Sequence, residues 1–117
     1  MRILPVIQKW PKLKKPQWTT FRLSRRDKDW QVGEVVQVVY RQRTPQREVL
    51  GVAEIVAKAP RGFRLTSGAN SLIAEREARE DGFNNTEEME HWMLKAHGSR
   101  VRTEPLNKLT LRWVKVN

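Results

Sequence analysis

At 117 residues the chain has room for one domain, residues 1–117, built on one hydrophobic core, and its lack of cysteine excludes disulfides, thiolate metal sites and thiol catalysis. No stretch of about 18 apolar residues occurs, so no helical membrane span is expected, and the apolar patch that opens the chain is interrupted at Pro5, too brief for a secretory signal. The formal charge of +10 is large for this length; with a cytoplasmic setting expected, polyanions come first among partner classes.

In chain order, "RILPVI" (residues 2–7) reads as a short strand. "QKWPKLKKPQ" (8–17) holds two prolines and four lysines and reads as a loop or a broken turn of helix. "WTTFRL" (18–23) is rich in β-branched and aromatic residues, which predicts a strand. A Val32-Gly33-Glu34 turn then launches "EVVQVVYRQ" (34–42), the clearest strand in the chain. "TPQR" turns, and "EVLGVAEIVAKA" (48–59) returns with Val49, Gly51, Ala53 and Ile55 on one side and Leu50, Val52 and Val56 on the other. Being apolar on both faces, it is expected to lie centrally. "PRGFRLTSGANS" (60–71) is a connector with room for a short edge strand.

Helices are confined to the acidic stretch. "SLIAEREAREDG" (71–82) carries helix formers up to Asp81 and a stop at Gly82. Asn85 followed by Glu88 fits a reciprocal capping arrangement, and Met89, Trp92, Met93 and Ala96 form an apolar stripe that ends at Gly98. "KLTLRWVKVN" (108–117) alternates Leu109, Leu111 and Trp113 against Thr110 and Arg112, a strand returning to the sheet. Trp92 and Trp113, both on apolar faces, are assigned to the core. The expected fold is α+β, mainly β: a small barrel or strongly bent sheet with one or two helices inserted before the last strand.

The charge is unevenly spread. Residues 1–66 carry 15 Lys and Arg against 5 Asp and Glu, and residues 67–100 carry 4 against 7. A basic surface of this kind gains counterion release on meeting phosphates, so nucleic acid leads over a merely soluble basic face. A membrane partner is not expected, because the basic residues do not fall on an amphipathic helix.

In the 18–23 strand Thr20 and Arg22 share one face, while Phe21 shares the other with Thr19 and Leu23. If Phe21 faces the core, a hydroxyl and a guanidinium line a cleft suited to a phosphate or a base edge; an ordinary polar sheet face is the alternative. Arg25, Arg26 and Lys28 sit among Asp27 and Asp29, which reads first as a solvated turn with weak local ion pairs and second as a phosphate contact. Trp10 and Trp18 are interleaved with Lys9, Lys12, Lys14 and Lys15, a combination that serves single-strand recognition by stacking and charge; either Trp also fits as core cover. His91 and His97 lack a metal-ligand spacing, so no metal is expected. No phosphate-binding Gly loop, Ser/His/Asp set or dinucleotide fingerprint occurs, so no cofactor is expected. The run "EREARED" reads first as a solvated helix face; the alternative for Asp81, beside Gly82, is to turn inward.

The ordered combination "WTTFRLSRRDKDWQVGEVVQVVYR", "GVAEIVAKA" and "AEREAREDGFNNTEEMEHWM" resembles the ASCH domains of the PUA-like superfamily, over nearly the whole chain. The resemblance implies a PUA-like β-barrel with a cleft along the Thr20/Arg22 strand, used for RNA binding or RNA-related chemistry. Some similar proteins hydrolyse acetylated cytidine with a Thr, a Lys and an acidic residue, and others are reported as ribonucleases. Thr20 and Arg22 match the family places, and Asp81 falls at that of the acid. The family's Gly-x-Lys is absent: Lys15 holds the glycine place and Gln17 the lysine place. A glutamine amide cannot take a proton from a threonine hydroxyl, which weakens the enzymatic alternative.

The expectation is therefore an RNA or other nucleic-acid binding module using Lys12, Lys14, Lys15, Gln17, Trp18, Thr20, Arg22, Arg25 and Arg26. The alternative is an RNA-related hydrolase, an acetylcytidine amidohydrolase or ribonuclease, acting through Thr20, Asp81 and Lys15. A third option is an adaptor whose basic face docks an acidic protein. Oligomeric state is left open.

Overall fold

The computed structural model describes residues 1–117 apart from the side chain of Thr66. Five strands, β1 (Arg2–Val6), β2 (Gln17–Leu23), β3 (Val35–Tyr40), β4 (Glu48–Arg61) and β5 (Leu106–Val116), form one mixed sheet in the order β1-β3-β4-β5-β2. β1 runs parallel to β3, and the other three neighbouring pairs are antiparallel. The sheet curls into a half-barrel, so the mainly-β α+β expectation holds at this level. β1 and β2 end the sheet order and leave a seam between them.

The curl has local causes. The ladder shifts register between Val38 and Val39 of β3, and again along β4 at Val52/Ala53 and Ile55/Ala57. Such irregularities bend a strand and increase its twist. Gly51 sits at this bend with φ +154, and a Cβ there would stand 2.2 Å from the Lys115 carbonyl oxygen. Only glycine lets the end of β5 approach this closely.

β4 is central, as its two-faced apolar pattern implies, and runs two residues past Ala59 through Pro60 and Arg61. Proline is tolerated there because the β3 ladder has already ended at Glu54, so the missing N–H leaves no partner unsatisfied.

Two apolar clusters follow from the strand alternation. Leu4, Trp18, Trp30, Val36, Val38, Ile55, Leu109 and Leu111 fill the concave side of the sheet. Phe21 and Leu106 face the opposite way, against the helical layer of α1 (Glu75–Glu80), α2 (Thr86–His97) and α3 (Arg100–Thr103) with Phe83, Met89, Met93 and Val101. Trp92 and Trp113 are half-buried at the margins of these clusters and not in their centres.

The Asp29-Trp30 corner is a structural clamp. The Asp29 carboxylate accepts from Lys58 Nζ at 3.0 Å, from Asn107 Nδ2 at 2.9 and 3.1 Å, and from the Arg25 backbone N–H at 3.1 Å. Trp30 is buried, with the Arg2 guanidinium 4.5 Å from its ring centroid.

Past Pro60 and Arg61, which extend β4, the connector forms a 3-10 turn (Leu65–Ser67) and a single parallel bridge between Gly62 and Leu72, and among its described residues no edge strand. That bridge also delays α1. Gly62 donates to the Ser71 carbonyl and Ile73 donates to that of Gly62, holding 71–73 extended so that the helix starts at Glu75. α2 begins as anticipated, with Asn85 Oδ1 accepting from the Glu88 N–H at 2.8 Å, but the Glu88 side chain accepts from Asn84 instead of reaching back. No helix among the described residues is long and apolar enough to cross a membrane.

Gly51→Ala is expected to destabilise the fold by about 2–4 kcal/mol, because a Cβ collides with backbone that cannot yield without opening the β4–β5 ladder. A thermal midpoint within about 2 °C of wild type would show that the close approach is unimportant.

Candidate functional site

β2 directs Trp18, Thr20 and Arg22 to one side while Phe21 anchors the other in the helical cluster. On that side, in the seam between β1 and β2, lies a pocket of about 140 Å³. Arg22 crosses the seam: its Nη1 donates to the Pro5 carbonyl at 2.7 Å, and its Nε donates to Thr20 Oγ1 at 3.1 Å. Pro5 suits an edge strand, since it has no N–H to leave unpaired and its carbonyl is taken by the guanidinium.

The pocket's amine comes from the loop between β1 and β2. Pro11 starts a 3-10 turn (Pro11–Lys14), and this tight turn separates Lys12 from Lys14 so that they project to different sides. Lys12 goes inward, 8 % exposed, and its Nζ donates to Asp81 Oδ1 in a buried ion pair. Asp81 is the C-cap of α1, and Gly82 follows at φ +111, a left-handed turn that ends the helix and holds the carboxylate inward. The Trp10 ring packs so closely over Gly82 that a Cβ there would meet it at 3.0 Å. Trp10 also sits 5.3 Å from Phe83 and 5.8 Å from Trp92, with Phe83 and Trp92 5.7 Å apart, and these three rings wall the pocket on its helical side.

Burial governs the electrostatics. It lowers the Lys12 pKa despite the attraction of Asp81, and it lowers that of Arg22 to about 10, again against Asp81. It also raises the Asp81 pKa, opposed by Lys12 and Arg22. His97, at the margin of the pocket, is lowered by burial and then by Arg22. Two cations against one carboxylate leave an excess positive charge that favours an anion or an electron-rich carbonyl.

Trp18 adds an unmet donor. It is 3 % exposed and lines the pocket, and its Nε1 has no hydrogen-bond partner among the described residues. A buried donor left unpaired costs about 1–3 kcal/mol.

Of the residues singled out from sequence, Lys12, Trp18, Thr20, Arg22 and Asp81 come together in this pocket. Lys14, Lys15, Gln17, Arg25 and Arg26 are exposed and do not line it. The amine expected from Lys15 is therefore supplied by Lys12, which belongs to the interior and not to the exposed phosphate-facing set. Trp10, read from sequence as a stacking ring or core cover, lines the pocket, and Phe83, Trp92 and His97 join it without having been anticipated there. The only local signal for these three is an aromatic next to Gly82. Among the described residues no group of three or more His, Cys, Asp or Glu is placed to hold a metal.

Comparison with protein-family models, with curated proteins and with solved structures finds no match to this chain.

Removing one partner of the buried pair strands the other charge. Asp81→Ala is expected to cost about 3–5 kcal/mol in urea unfolding, whereas the double change Lys12→Met/Asp81→Leu should recover most of that loss. Equal stability of Asp81→Ala and wild type would mean that the pair is solvated.

Proposed function

We propose that this chain is a nucleic-acid binding domain of the PUA-like, ASCH type, seating one single-ring base in the Lys12/Thr20/Arg22/Asp81 pocket. The observation that carries this reading is the convergence of these four polar side chains on one small hollow with aromatic walls. At about 140 Å³ the hollow is well below the roughly 300–1,000 Å³ of sites that take drug-sized ligands, so it suits a single heterocycle. Donors from Lys12 and Arg22 and acceptors from Asp81 and Thr20 match the mixed edge of a base. Bases of single-stranded RNA are available for such insertion because they are already unstacked. The resemblance of β2 and of the Asp81-Gly82-Phe83 turn to ASCH domains points the same way.

Arg22→Ala is expected to weaken binding to a single-stranded oligoribonucleotide about tenfold or more, the scale of one or two charge-assisted hydrogen bonds. Arg47→Ala, at an exposed site after the β3–β4 turn, should leave it unchanged. A fluorescence titration at fixed salt, on variants with wild-type circular dichroism, reads the difference; equal affinities would sink the assignment.

A second reading, hydrolysis of an acylated cytidine, is favoured by one feature: the buried Lys12 amine shares the pocket with the Thr20 hydroxyl. Burial lowers the Lys12 pKa against the pull of Asp81, and the amine, once it has released its proton, is the base that Gln17 cannot be. The neutral amine takes the Thr20 proton, and Oγ1 attacks the acyl carbonyl while Arg22 Nε, already donating to that oxygen, lowers the cost of its negative charge. The carbon–nitrogen bond then breaks with return of the proton to the leaving exocyclic nitrogen. Water releases the acyl group from Thr20 as a carboxylic acid. Incubation with N4-acetylcytidine should yield cytidine and acetate, at a rate that rises with pH as Lys12 loses its proton. Thr20→Val should reduce turnover at least about a hundredfold. Absence of product with the wild-type protein removes this reading and leaves the binding one.

A further inference from the structure

A second hollow, about 680 Å³ and more open, lies beside the pocket and shares its Pro5 and Ile7 wall. It is lined by Arg2, Arg25, Arg41 and Arg43 and by no carboxylate. The four arginines differ in their commitments. Arg2 is consumed by the fold: its Nε and Nη2 donate to the Glu34 carboxylate at 2.5 and 2.6 Å, and the group lies against Trp30. Arg25 holds an exposed pair with Asp27 at 3.1 and 3.2 Å and lies 5.3 Å from the Trp30 ring centroid; an exposed pair of this kind exchanges readily for a better anion. Arg41 and Arg43 are exposed and make no salt bridge among the described residues. Arg41 is nevertheless held in place: its N–H donates to the Val6 carbonyl at 3.0 Å, its φ is +47, and its guanidinium lies 5.4 Å from the Tyr40 ring centroid. A positioned guanidinium with no carboxylate partner, beside a trough lined by no carboxylate, suits an anion.

We propose that this trough carries the phosphodiester backbone of a single-stranded polynucleotide, with Arg41 and Arg43 on successive phosphates, while one base of the same strand enters the adjoining pocket. The inference rests on the base-pocket reading above and narrows it: the ligand is a strand and not a free nucleoside. The shared Pro5/Ile7 wall is the argument for continuity, since a base on one side of it leaves its sugar and phosphate on the other. The exposed Ile7 side chain gives apolar ground at that crossing. A duplex does not fit, because the base would first have to leave its stack and its partner.

The test measures binding of fluorescently labelled oligocytidylate, in ribo and deoxy forms, and of free cytidine by calorimetry. The proteins are wild type, the double variant Arg41→Gln/Arg43→Gln, and Arg22→Ala. The trough variant alters exposed side chains only. It is expected to lose about tenfold in oligonucleotide affinity and to flatten the slope of log K against log salt by about 1.4, the value for two single-strand phosphate contacts. Its affinity for cytidine should not change. A loss in the ribo arm alone assigns the ligand to RNA, and a loss in both assigns it to either single strand. If the oligonucleotide affinity and slope match wild type while Arg22→Ala still weakens binding, the trough is overturned and the pocket stands. If the trough variant weakens binding and Arg22→Ala does not, the pocket reading fails and the trough stands. No oligonucleotide binding by folded wild-type protein ends both.

Discussion

The buried ion pair between Lys12 and Asp81 joins two parts of the chain 69 residues apart. One partner belongs to the proline-bounded loop after β1, the other to the end of α1, and neither element could hold its charge away from water alone. A solitary buried ammonium or carboxylate costs several kcal/mol, so the loop and the helical layer dock only in the register that pairs them. The same docking brings Trp10 over Gly82 and against Phe83 and Trp92. The pocket is therefore a product of packing the helical layer against the seam, and β2 contributes one wall of it.

The half-barrel makes room for this. A sheet that closed fully would pair β1 with β2 and remove the gap; here the two edge strands are bridged by the Arg22 side chain reaching the Pro5 carbonyl. The bridge protects the edge and leaves space beneath it, and its Nε remains on Thr20 within the pocket. One guanidinium thus serves both the closure of the fold and the polarity of the site.

Much of the basic excess is spent on architecture. Glu77, 4 % exposed, is held by Arg61 and Lys108; Glu90 is held by Arg64 and Arg102; Asp29 is held by Lys58. The acidic helical stretch, which by composition reads as a solvated face, supplies Glu77 to lock α1 to β4 and β5, and Glu90 to tie α2 to the connector and to α3. Lys14, Lys15, Arg26, Arg41, Arg43 and Arg47 are exposed and make no salt bridge among the described residues, and of these Arg41 and Arg43 lie beside the seam.

Periodicity and turn chemistry by themselves determined the long strands and α2, but neither the start of α1 nor the short α3. The alternation in 34–42, 48–59 and 108–117 places their strands, Gly82 and Gly98 stop the helices, Asn85 starts α2, and the opposed faces of Thr20 and Phe21 set a polar wall behind a packed one. These are local properties, imposed by backbone sterics and side-chain spacing within a few residues. Tertiary structure alone decided that Ser71–Ile73 stay extended, because a distant glycine offers them hydrogen bonds that a helix would forfeit. It alone chose Lys12 over Lys15 as the pocket's amine. In sequence the lysines of this loop are equivalent cations, and what distinguishes them is which one a buried carboxylate, brought from the far end of the chain, can reach.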